Sequence, residues 1–497
     1  LVAGSGQESN RRPPARRSSR NENAMSNNTA TEVLQRTQVR KNLAQKKKLT
    51  VDPSSSSHLS VGWRVAYAAA ALAAISAVLI LDLLNGGPCG ELLRPVFDYA
   101  LPAINDPDRG KTTEELVRSR GFEFERHYVT TEDGYIIEMH RIFDASKADR
   151  PALVLGAPLF CSSTISLVDF RNNTPAYQFA DAGYDVWLTN ARGNRFGMRH
   201  TSLDLEKDKL AFYDFTLVDI GEKDLAAQID HAIKITGKPK VHAVGISQGA
   251  ASLFALLSKR PSYNEKLHGI VSYGGFRSVC FADNTGVVLF SKLAWPLSDF
   301  ILKVESLAAI WTDMSPADAL CARTGDLCGK LLTYVGFKSD HYLNVSRFGV
   351  YLEHVPAGTS LKTFAYYAQT RQIGCDGSVR EFDYDQGPIT SLLIKLGLRE
   401  SMNMKRYGTA EPPLLDPQNI RVPVKMYYSD GDNFVPSKEV FRVARDLRIP
   451  ASNLHRIADD RFSHVNFVFN KDRNDFVHHT IDYLSGGNAT WLDAGSS

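Results

Sequence analysis

One five-residue run constrains the fold of this 497-residue chain more than any other: Gly-Ile-Ser-Gln-Gly at positions 245–249. An apolar, strand-like stretch at 241–244 precedes it, and a helix-like run at 250–257 follows it. A side chain at either glycine would collide with a neighbouring element in so tight a turn, and glycine tolerates the backbone angles that the turn demands. The pattern therefore predicts a strand, a sharp turn and a helix, with Ser247 held at the tip of a sheet.

Short apolar stretches alternate with helical patterns from about residue 112 onward. Two of them flank the turn-like Thr-Glu-Asp-Gly at 131–134 and predict a β-hairpin. Continuous apolar strands separated by helices are typical of a mostly parallel sheet covered on both faces. With the strand–turn–helix run, this predicts an α/β fold built on a mostly parallel sheet. Strands are expected at 122–129, 135–142, 152–155, 185–188, 240–245, 270–273, 424–428 and 454–457, and helices at 177–182 and 219–236.

The alternation is interrupted over about 140 residues, at positions 276–417, where the pattern is mostly helical and rich in large apolar side chains. We expect this segment to form a helical cap on the core. The expected organisation is a disordered basic tail at 1–60, a transmembrane anchor at 61–84, a linker at 85–111, core at 112–275, cap at 276–417, core again at 418–485 and a C-terminal tail at 486–497.

The N-terminal part combines a basic tail with an apolar run. Residues 1–64 carry twelve Lys and Arg against four acidic residues, which predicts a solvated, disordered tail, with attraction to anionic lipid as the alternative. Residues 65–84 hold a single charge, Asp82, and are long enough to span a bilayer. A cleaved signal peptide or a buried helix fits the long preceding chain and its basic flank less well.

We therefore expect a single-pass anchor with the N-terminus in the cytosol, because positive charge favours the cytosolic side. The rest of the chain would then lie on the lumenal or extracellular side, and a cytosol-facing membrane or lipid-droplet surface is the alternative. Six cysteines and the Asn-x-Ser/Thr sequons at Asn172, Asn344 and Asn488 favour the lumenal side. Cys321 and Cys328 are close enough in sequence to close a small disulfide loop.

A serine hydroxyl such as that of Ser247 needs a base, and the base needs an orienting carboxylate. Functional groups of parallel sheets collect in the loops at the carboxyl ends of strands. Asp430 and Asp432 follow the expected strand at 424–428, and the residues alone leave the choice between them open. His464 lies in a later loop and is the candidate base. The competing histidines nearby are His455, His478 and His479, of which the last two fall in a helical run.

Attack on an acyl group also requires hydrogen-bond donors for the oxyanion. One expected donor is the backbone N–H of Gln248, the residue after the serine. The second should come from the loop at 156–160, after an early strand. Pro158 in that loop has no N–H, which leaves Leu159 as the expected donor.

Several ordered segments resemble a known family. They are Gly-Phe-Glu at 121–123, Val-Thr-Thr-Glu-Asp-Gly-Tyr at 129–135, Gly-Tyr-Asp-Val-Trp-Leu-Thr-Asn-Ala-Arg-Gly-Asn at 183–194, Pro-Ala-Gly-Thr-Ser at 356–360 and Tyr-Ala-Gln at 367–369. In this order they resemble the acid lipases, the group that contains gastric lipase, lysosomal acid lipase and the membrane-anchored steryl ester hydrolases of fungi. The resemblance runs from about residue 112 to about residue 485.

This resemblance implies an α/β-hydrolase that cleaves carboxylic esters of lipids, either triacylglycerols or steryl esters, at a membrane or lipid-droplet surface. It implies no metal and no organic cofactor. By the same resemblance Ser247 is the nucleophile, Asp432 the acid and His464 the base. Leu159 and Gln248 match the family's oxyanion donors.

The resemblance also matches Cys328 to one half of a family disulfide, with Cys321 as the expected partner, and Asn344 to a glycosylation position. Two positions depart from the family: Ile246 stands in place of His, and Ala157-Pro158 in place of His-Gly. Both bear on pocket shape, pH optimum and acyl preference.

Two other functions are compatible with these residues. An acyltransferase would use the same three groups and pass the acyl group to an alcohol instead of water. A catalytically idle interaction module is the other alternative, which an intact Ser, Asp and His disfavour. A net charge of +3 at pH 7 gives no reason to expect nucleic acid as a partner.

Overall fold

The computed structural model describes residues 106–289, 291–292, 302–304, 308–310, 330, 341–472 and 475–486, all within the unit Leu81–Ser497. The expected basic tail and anchor, together with Cys321, Cys328 and Asn488, lie outside these residues. Across the part of the chain that the structure describes, no helix combines the length and apolar character needed to cross a bilayer.

The core of this unit is a mostly parallel sheet whose strands run in the order β1-β2-β4-β3-β6-β7-β10-β11, with β5 paired to β2. The pairs β1–β2, β2–β4 and β2–β5 are antiparallel, and the remaining neighbours in the sheet are parallel. The strands are β1 Glu123–Thr130, β2 Tyr135–Phe143, β3 Ala152–Gly156, β4 Asp185–Leu188, β5 Arg199–His200, β6 Val241–Ile246, β7 Leu267–Tyr273, β10 Val424–Ser429 and β11 Leu454–Ile457; a separate antiparallel pair joins β8 Ala309–Ile310 to β9 Thr359–Ser360.

Helices lie between the strands and in the expected cap. The α-helices named below are α1 Thr113–Ser119, α2 Pro175–Asp181, α3 Lys209–Phe212, α4 Ala226–Thr236, α5 Gln248–Lys259, α6 Phe348–His354, α7 Leu361–Ile373, α8 Pro388–Lys395, α9 Met402–Tyr407, α10 Ser437–Asp446 and α11 Asp475–Leu484. A helical turn, Leu217–Asp219, and a π-helix, Ile220–Leu225, lead into α4; short 3-10 helices occur at Ser163–Leu167, Pro261–Lys266, Val345–Arg347, Gly374–Asp376, Pro417–Asn419, Ala451–Asn453 and His464–Phe467.

The sheet is covered on both faces, as the continuous apolar strands predict. On β6, Val241 and Ala243 join the core cluster that contains residues of α4 and α5. Val244 and Ile246 join the opposite cluster, with residues of α2 and α11. This alternation follows the period of two of a β-strand and places β6, the strand before Ser247, in the middle of the core.

The predicted hairpin and the eight predicted strand positions are confirmed to within a few residues. The helix expected at 219–236 begins earlier, because Thr216 caps Leu217–Asp219 and its hydroxyl accepts from the N–H of Val218. Its π-helical part lies against α5. A Cβ on Gly221 would stand 2.3 Å from the carbonyl oxygen of Ser252, so only glycine permits this approach.

A disulfide joins Cys280 to Cys375, whose Cα atoms are 5.3 Å apart. The sequence did not reveal this pairing, because 95 residues separate the two cysteines. Both lie in the segment expected to form the cap, which hereafter is called the cap segment (276–417). Its described part includes α6, α7, α8 and α9.

Candidate active site

Ser247 occupies a strained turn between β6 and α5, with φ 53° and ψ −115°. Two glycines make room for that turn. A Cβ on Gly245 would lie 2.3 Å from the backbone nitrogen of Ala250, and a Cβ on Gly249 would lie 2.3 Å from the carbonyl oxygen of Gly156. Both contacts are with backbone atoms, which cannot move aside without separating the helix from the sheet. The Ser247 N–H donates to Tyr273 O on β7 (2.8 Å), which fixes the turn at the carboxyl end of these two strands.

His464 lies between Ser247 and Asp432. Its Nε2 is 2.8 Å from Ser247 Oγ, and its Nδ1 is 2.7 Å from Asp432 Oδ2. The other carboxylate oxygen of Asp432 accepts from the N–H groups of Phe434 (2.9 Å) and Val435 (2.8 Å). Asp432 is buried, so these bonds replace the water that its charge would otherwise need. The three side chains form a continuous Ser–His–Asp chain of hydrogen bonds.

The His464 ring is oriented from three sides. His464 is the first residue of the 3-10 helix His464–Phe467, and Ser463 and Asn466 form a capping box at the start of that helix. The Phe434 ring lies 5.3 Å away, centroid to centroid. Gly274 has φ +55°, and a Cβ there would stand 3.2 Å from His464 Cε1. The packing therefore leaves the imidazole little freedom to rotate away from Ser247.

The structure brings Asp432, and not Asp430, to His464. Asp430 is exposed and pairs with Arg456 at 2.7 Å. The competing histidines lie elsewhere in contacts of their own: the rings of His455 and His479 are 4.2 Å apart, His479 bonds the Tyr427 hydroxyl, and His478 bonds Gln178.

The two expected oxyanion donors lie at the ends of neighbouring strands. β3 and β6 pair in parallel with Gly156 opposite Gly245, so the loops that follow them leave the sheet side by side. Pro158 and Gln248 line one small cavity of about 20 Å³ between these loops. Gln248 is the first residue of α5, where a helical N–H has no acceptor within its own helix. Leu159 is half-buried and packs on the core.

A buried network holds the loop after β4 and was not found from sequence. Arg192 donates through Nε and its backbone N–H to Asp224 (2.8 and 2.9 Å), and Asn190 exchanges two hydrogen bonds with Gln228 (2.9 and 3.0 Å). Burial alone would lower the pKa of Arg192, but the carboxylates of Asp224 and Asp133 raise it, so it stays charged. The signal that could have found it is Asp224 and Gln228, two buried polar residues four positions apart in a helical stretch whose other buried residues are apolar or glycine.

A second Ser–His–carboxylate group lies away from Ser247. Ser163 Oγ is 2.7 Å from His140 Nδ1, and His140 Nε2 is 2.7 Å from Glu138 Oε1. Ser163 is 1% exposed and His140 0%, whereas Ser247 retains 7%. Burial lowers the pKa of His140. A substrate cannot reach a hydroxyl enclosed in this way, so the group fits a structural role.

The remaining predicted positions are not part of this cluster. Asn172 is exposed, and Asn344 is half-buried with its Oδ1 accepting from Ser346 Oγ at 2.7 Å. Cys161, which the sequence did not single out, is a free thiol, and burial raises its pKa to about 12. Among the described residues, no three His, Cys, Asp or Glu side chains are grouped so that they could hold a metal ion.

The fold and the site geometry define an α/β-hydrolase, and the family model for the alpha/beta hydrolase fold matches residues 162–465. A second model, for a partial alpha/beta-hydrolase lipase region, matches residues 113–169. Lipase 1 of Drosophila melanogaster is 32% identical over 73% of this chain and 76% of its own length. Lipase lipl-5 of Caenorhabditis elegans is 30% identical (76% and 94%), and the gastric triacylglycerol lipase of Mus musculus 28% (76% and 92%). The chain belongs to this acid and gastric lipase family of carboxylic ester hydrolases.

Proposed function

We propose that Ser247, His464 and Asp432 are the catalytic triad of a lipid ester hydrolase. The observation that carries the proposal is the pair of hydrogen bonds at His464, 2.8 Å to Ser247 Oγ and 2.7 Å to Asp432 Oδ2. The strained turn supports it further, because such strain is stored at functional sites and holds the hydroxyl above the sheet.

In the first half-reaction, Ser247 Oγ attacks the ester carbonyl while His464 Nε2 takes its proton. Asp432 holds the imidazole in the tautomer with a proton on Nδ1 and stabilises the imidazolium that forms. The backbone N–H groups of Leu159 and Gln248 bind the oxyanion of the tetrahedral intermediate. Collapse of the intermediate breaks the ester C–O bond, and His464 gives its proton to the departing alcohol.

In the second half-reaction, water replaces the alcohol. His464 takes a proton from the water, the hydroxide adds to the acyl carbonyl, and the same two N–H groups bind the oxyanion. The Ser247 ester then breaks, the serine regains its proton from His464, and the fatty acid leaves. These steps use only this chain's own residues.

We propose triacylglycerols, steryl esters or both as substrates. The names of the relatives support the first, since several are lipases and one is a gastric triacylglycerol lipase. The resemblance to steryl ester hydrolases supports the second. Hydrolysis of emulsified triolein and cholesteryl oleate across pH 4 to 8 separates them: release of oleate from neither substrate, by folded protein, would refute a lipid ester hydrolase.

We also propose that residues 61–84 anchor the enzyme in a membrane, with the catalytic part on the lumenal or extracellular side. The apolar run, its basic flank and an exposed sequon at Asn172 support this arrangement. Carbonate extraction tests the anchor. Glycosylation tests the side of the membrane on which the catalytic part lies. A lumenal protein should show a gel-mobility shift that endoglycosidase removes and that Asn172→Gln reduces, whereas a protein without any shift would face the cytosol.

Covalent labelling tests the triad. A fluorophosphonate should label the wild-type protein and fail to label Ser247→Ala. Ser163→Ala is the matched control, because Ser163 has the same kind of partners but is enclosed. It should label like the wild type. Undiminished labelling of Ser247→Ala would refute the proposed nucleophile.

A further inference from the structure

Helix α7 of the cap segment contacts the residue that follows the proposed nucleophile. The Tyr367 hydroxyl donates a hydrogen bond to Gln248 Oε1, and both side chains are buried. Burial raises the pKa of Tyr367 well above its usual value, so the hydroxyl keeps its proton and remains a donor. The Tyr367 ring is itself fixed by Phe276, 5.7 Å away between centroids.

The same helix also contacts the loop that carries the other proposed oxyanion donor. The Phe364 ring lies 4.9 Å from the Phe160 ring, one residue after Leu159. Just before the helix, the Ala357 N–H donates to Phe160 O at 2.5 Å. Residues 357–367 therefore contact both loops on which the proposed oxyanion donors lie.

The chemistry of Gln248 shows why the Tyr367 contact matters. A buried amide oxygen without a partner loses its solvation and finds another donor if one is within reach. Gln248 lines a small cavity together with Pro158 and Phe160, the two residues that flank Leu159. Without the Tyr367 hydroxyl, we expect its amide oxygen to turn toward the backbone N–H groups that would bind the oxyanion. An amide oxygen that took them would compete with the transition state.

We propose that Tyr367 is a positioning residue: its hydroxyl occupies the side-chain oxygen of Gln248 and keeps the oxyanion site open for the tetrahedral intermediate. The inference rests on the proposed function, since it presumes that Ser247 forms an acyl-enzyme. The cap segment would then help to shape the active site, because Tyr367 bonds the residue directly after Ser247.

Tyr367→Phe removes the hydroxyl and keeps the ring. The matched control is Tyr366→Phe, because Tyr366 is also buried but its hydroxyl donates to Arg380 O (2.8 Å), within the cap segment. With p-nitrophenyl butyrate, Tyr367→Phe should lower kcat about tenfold and leave KM within about twofold. A missing oxyanion donor lowers kcat about a hundredfold or more, and here both donors remain. The inhibition constant of a trifluoromethyl ketone, which forms a tetrahedral oxyanion on the serine, should rise by the same factor.

Tyr366→Phe should change neither kcat nor the inhibition constant more than about twofold. The double variant Tyr367→Phe/Gln248→Met should recover kcat relative to Tyr367→Phe, because it removes the competing amide oxygen together with its partner. An unchanged kcat in Tyr367→Phe, or equal losses in both tyrosine variants, would overturn the inference. Ser247→Ala separates this outcome from failure of the proposed function, since full activity in that variant would refute the triad itself.

Discussion

Acidification should destabilise the folded protein through His354, the last residue of α6. It is 7% exposed, and burial lowers its pKa to about 4, with the charge of Arg195 acting in the same direction. An unfolded chain would give this histidine a pKa of about 6.5. Because the folded pKa is the lower one, the neutral His354 side chain contributes fully to the free energy of unfolding above about pH 6.5. That contribution is lost as the pH falls toward 4.

The size of the effect follows from the two pKa values. At pH 5 the unfolded histidine is almost fully protonated, while the folded one is about nine-tenths neutral. Going from pH 7 to pH 5 should therefore reduce the free energy of unfolding by about 2 kcal/mol through this group alone, at about 1.4 kcal/mol per pKa unit. His354→Gln removes the titration and keeps a polar side chain of similar size.

Urea titrations followed by tryptophan fluorescence at pH 5, 6, 7, 7.5 and 8 measure this difference. The loss of unfolding free energy between pH 7 and pH 5 should be smaller in His354→Gln than in the wild type by about 2 kcal/mol. Between pH 7.5 and 8 the free energy of unfolding should change equally in the two proteins, because the histidine is neutral in both the folded and the unfolded state. Equal losses between pH 7 and pH 5 would show that His354 is not held neutral by burial.

Three further predictions concern the site and its frame. Asp432→Asn should lower kcat by about a thousandfold or more in ester hydrolysis, whereas Asp430→Asn, which alters a surface ion pair, should stay within about twofold; similar losses in both would contradict the assignment. Gly249→Ala should lower the free energy of unfolding by about 1–3 kcal/mol in urea titrations, since its Cβ would stand 2.3 Å from a backbone oxygen; wild-type stability would refute that contact. Replacing both Cys280 and Cys375 by Ser opens a link across 95 residues and should lower the free energy of unfolding by up to about 4 kcal/mol, and a variant as stable as the oxidised wild type would contradict this.

Local signals explain what the sequence could predict of the fold. The strands stand out because they are short, apolar and bounded by turn residues, and the hairpin because Thr-Glu-Asp-Gly separates two of them. The order of the sheet carries no such signal. That β4 lies between β2 and β3 depends on pairings between distant segments, which no local pattern encodes. The pairing of Cys280 with Cys375 was missed for the same reason.

Some residues of the candidate site also have a local sequence signal and others do not. Ser247 was predictable because its turn requires two glycines within five residues. The residues alone left the choice between Asp430 and Asp432 open, because it depends on where β10 ends and which way the following turn points its side chains; the family resemblance selected Asp432. The structure also shows where Ile246 acts. It is buried on the face of β6 shared with Val244, so the side chain at this position affects the packing beneath the turn that carries Ser247.

The two Ser–His–carboxylate groups have similar hydrogen-bond distances, so the proposal that Ser247 is the nucleophile rests on more than distance. Ser163 also lies 2.7 Å from a histidine, but its Oγ accepts from Asn190 (3.0 Å) and its surroundings exclude solvent. Ser247 differs in its backbone: it occupies the N-cap position of α5 with φ 53°, where the helix dipole favours developing negative charge. We expect the reactivity of the proposed nucleophile to depend on that turn and on its access, so moving the serine by one residue should abolish labelling even with His464 and Asp432 unchanged. The double variant Ser247→Gly/Gln248→Ser tests this, and fluorophosphonate labelling of that variant at the wild-type rate would show that the strained turn is dispensable.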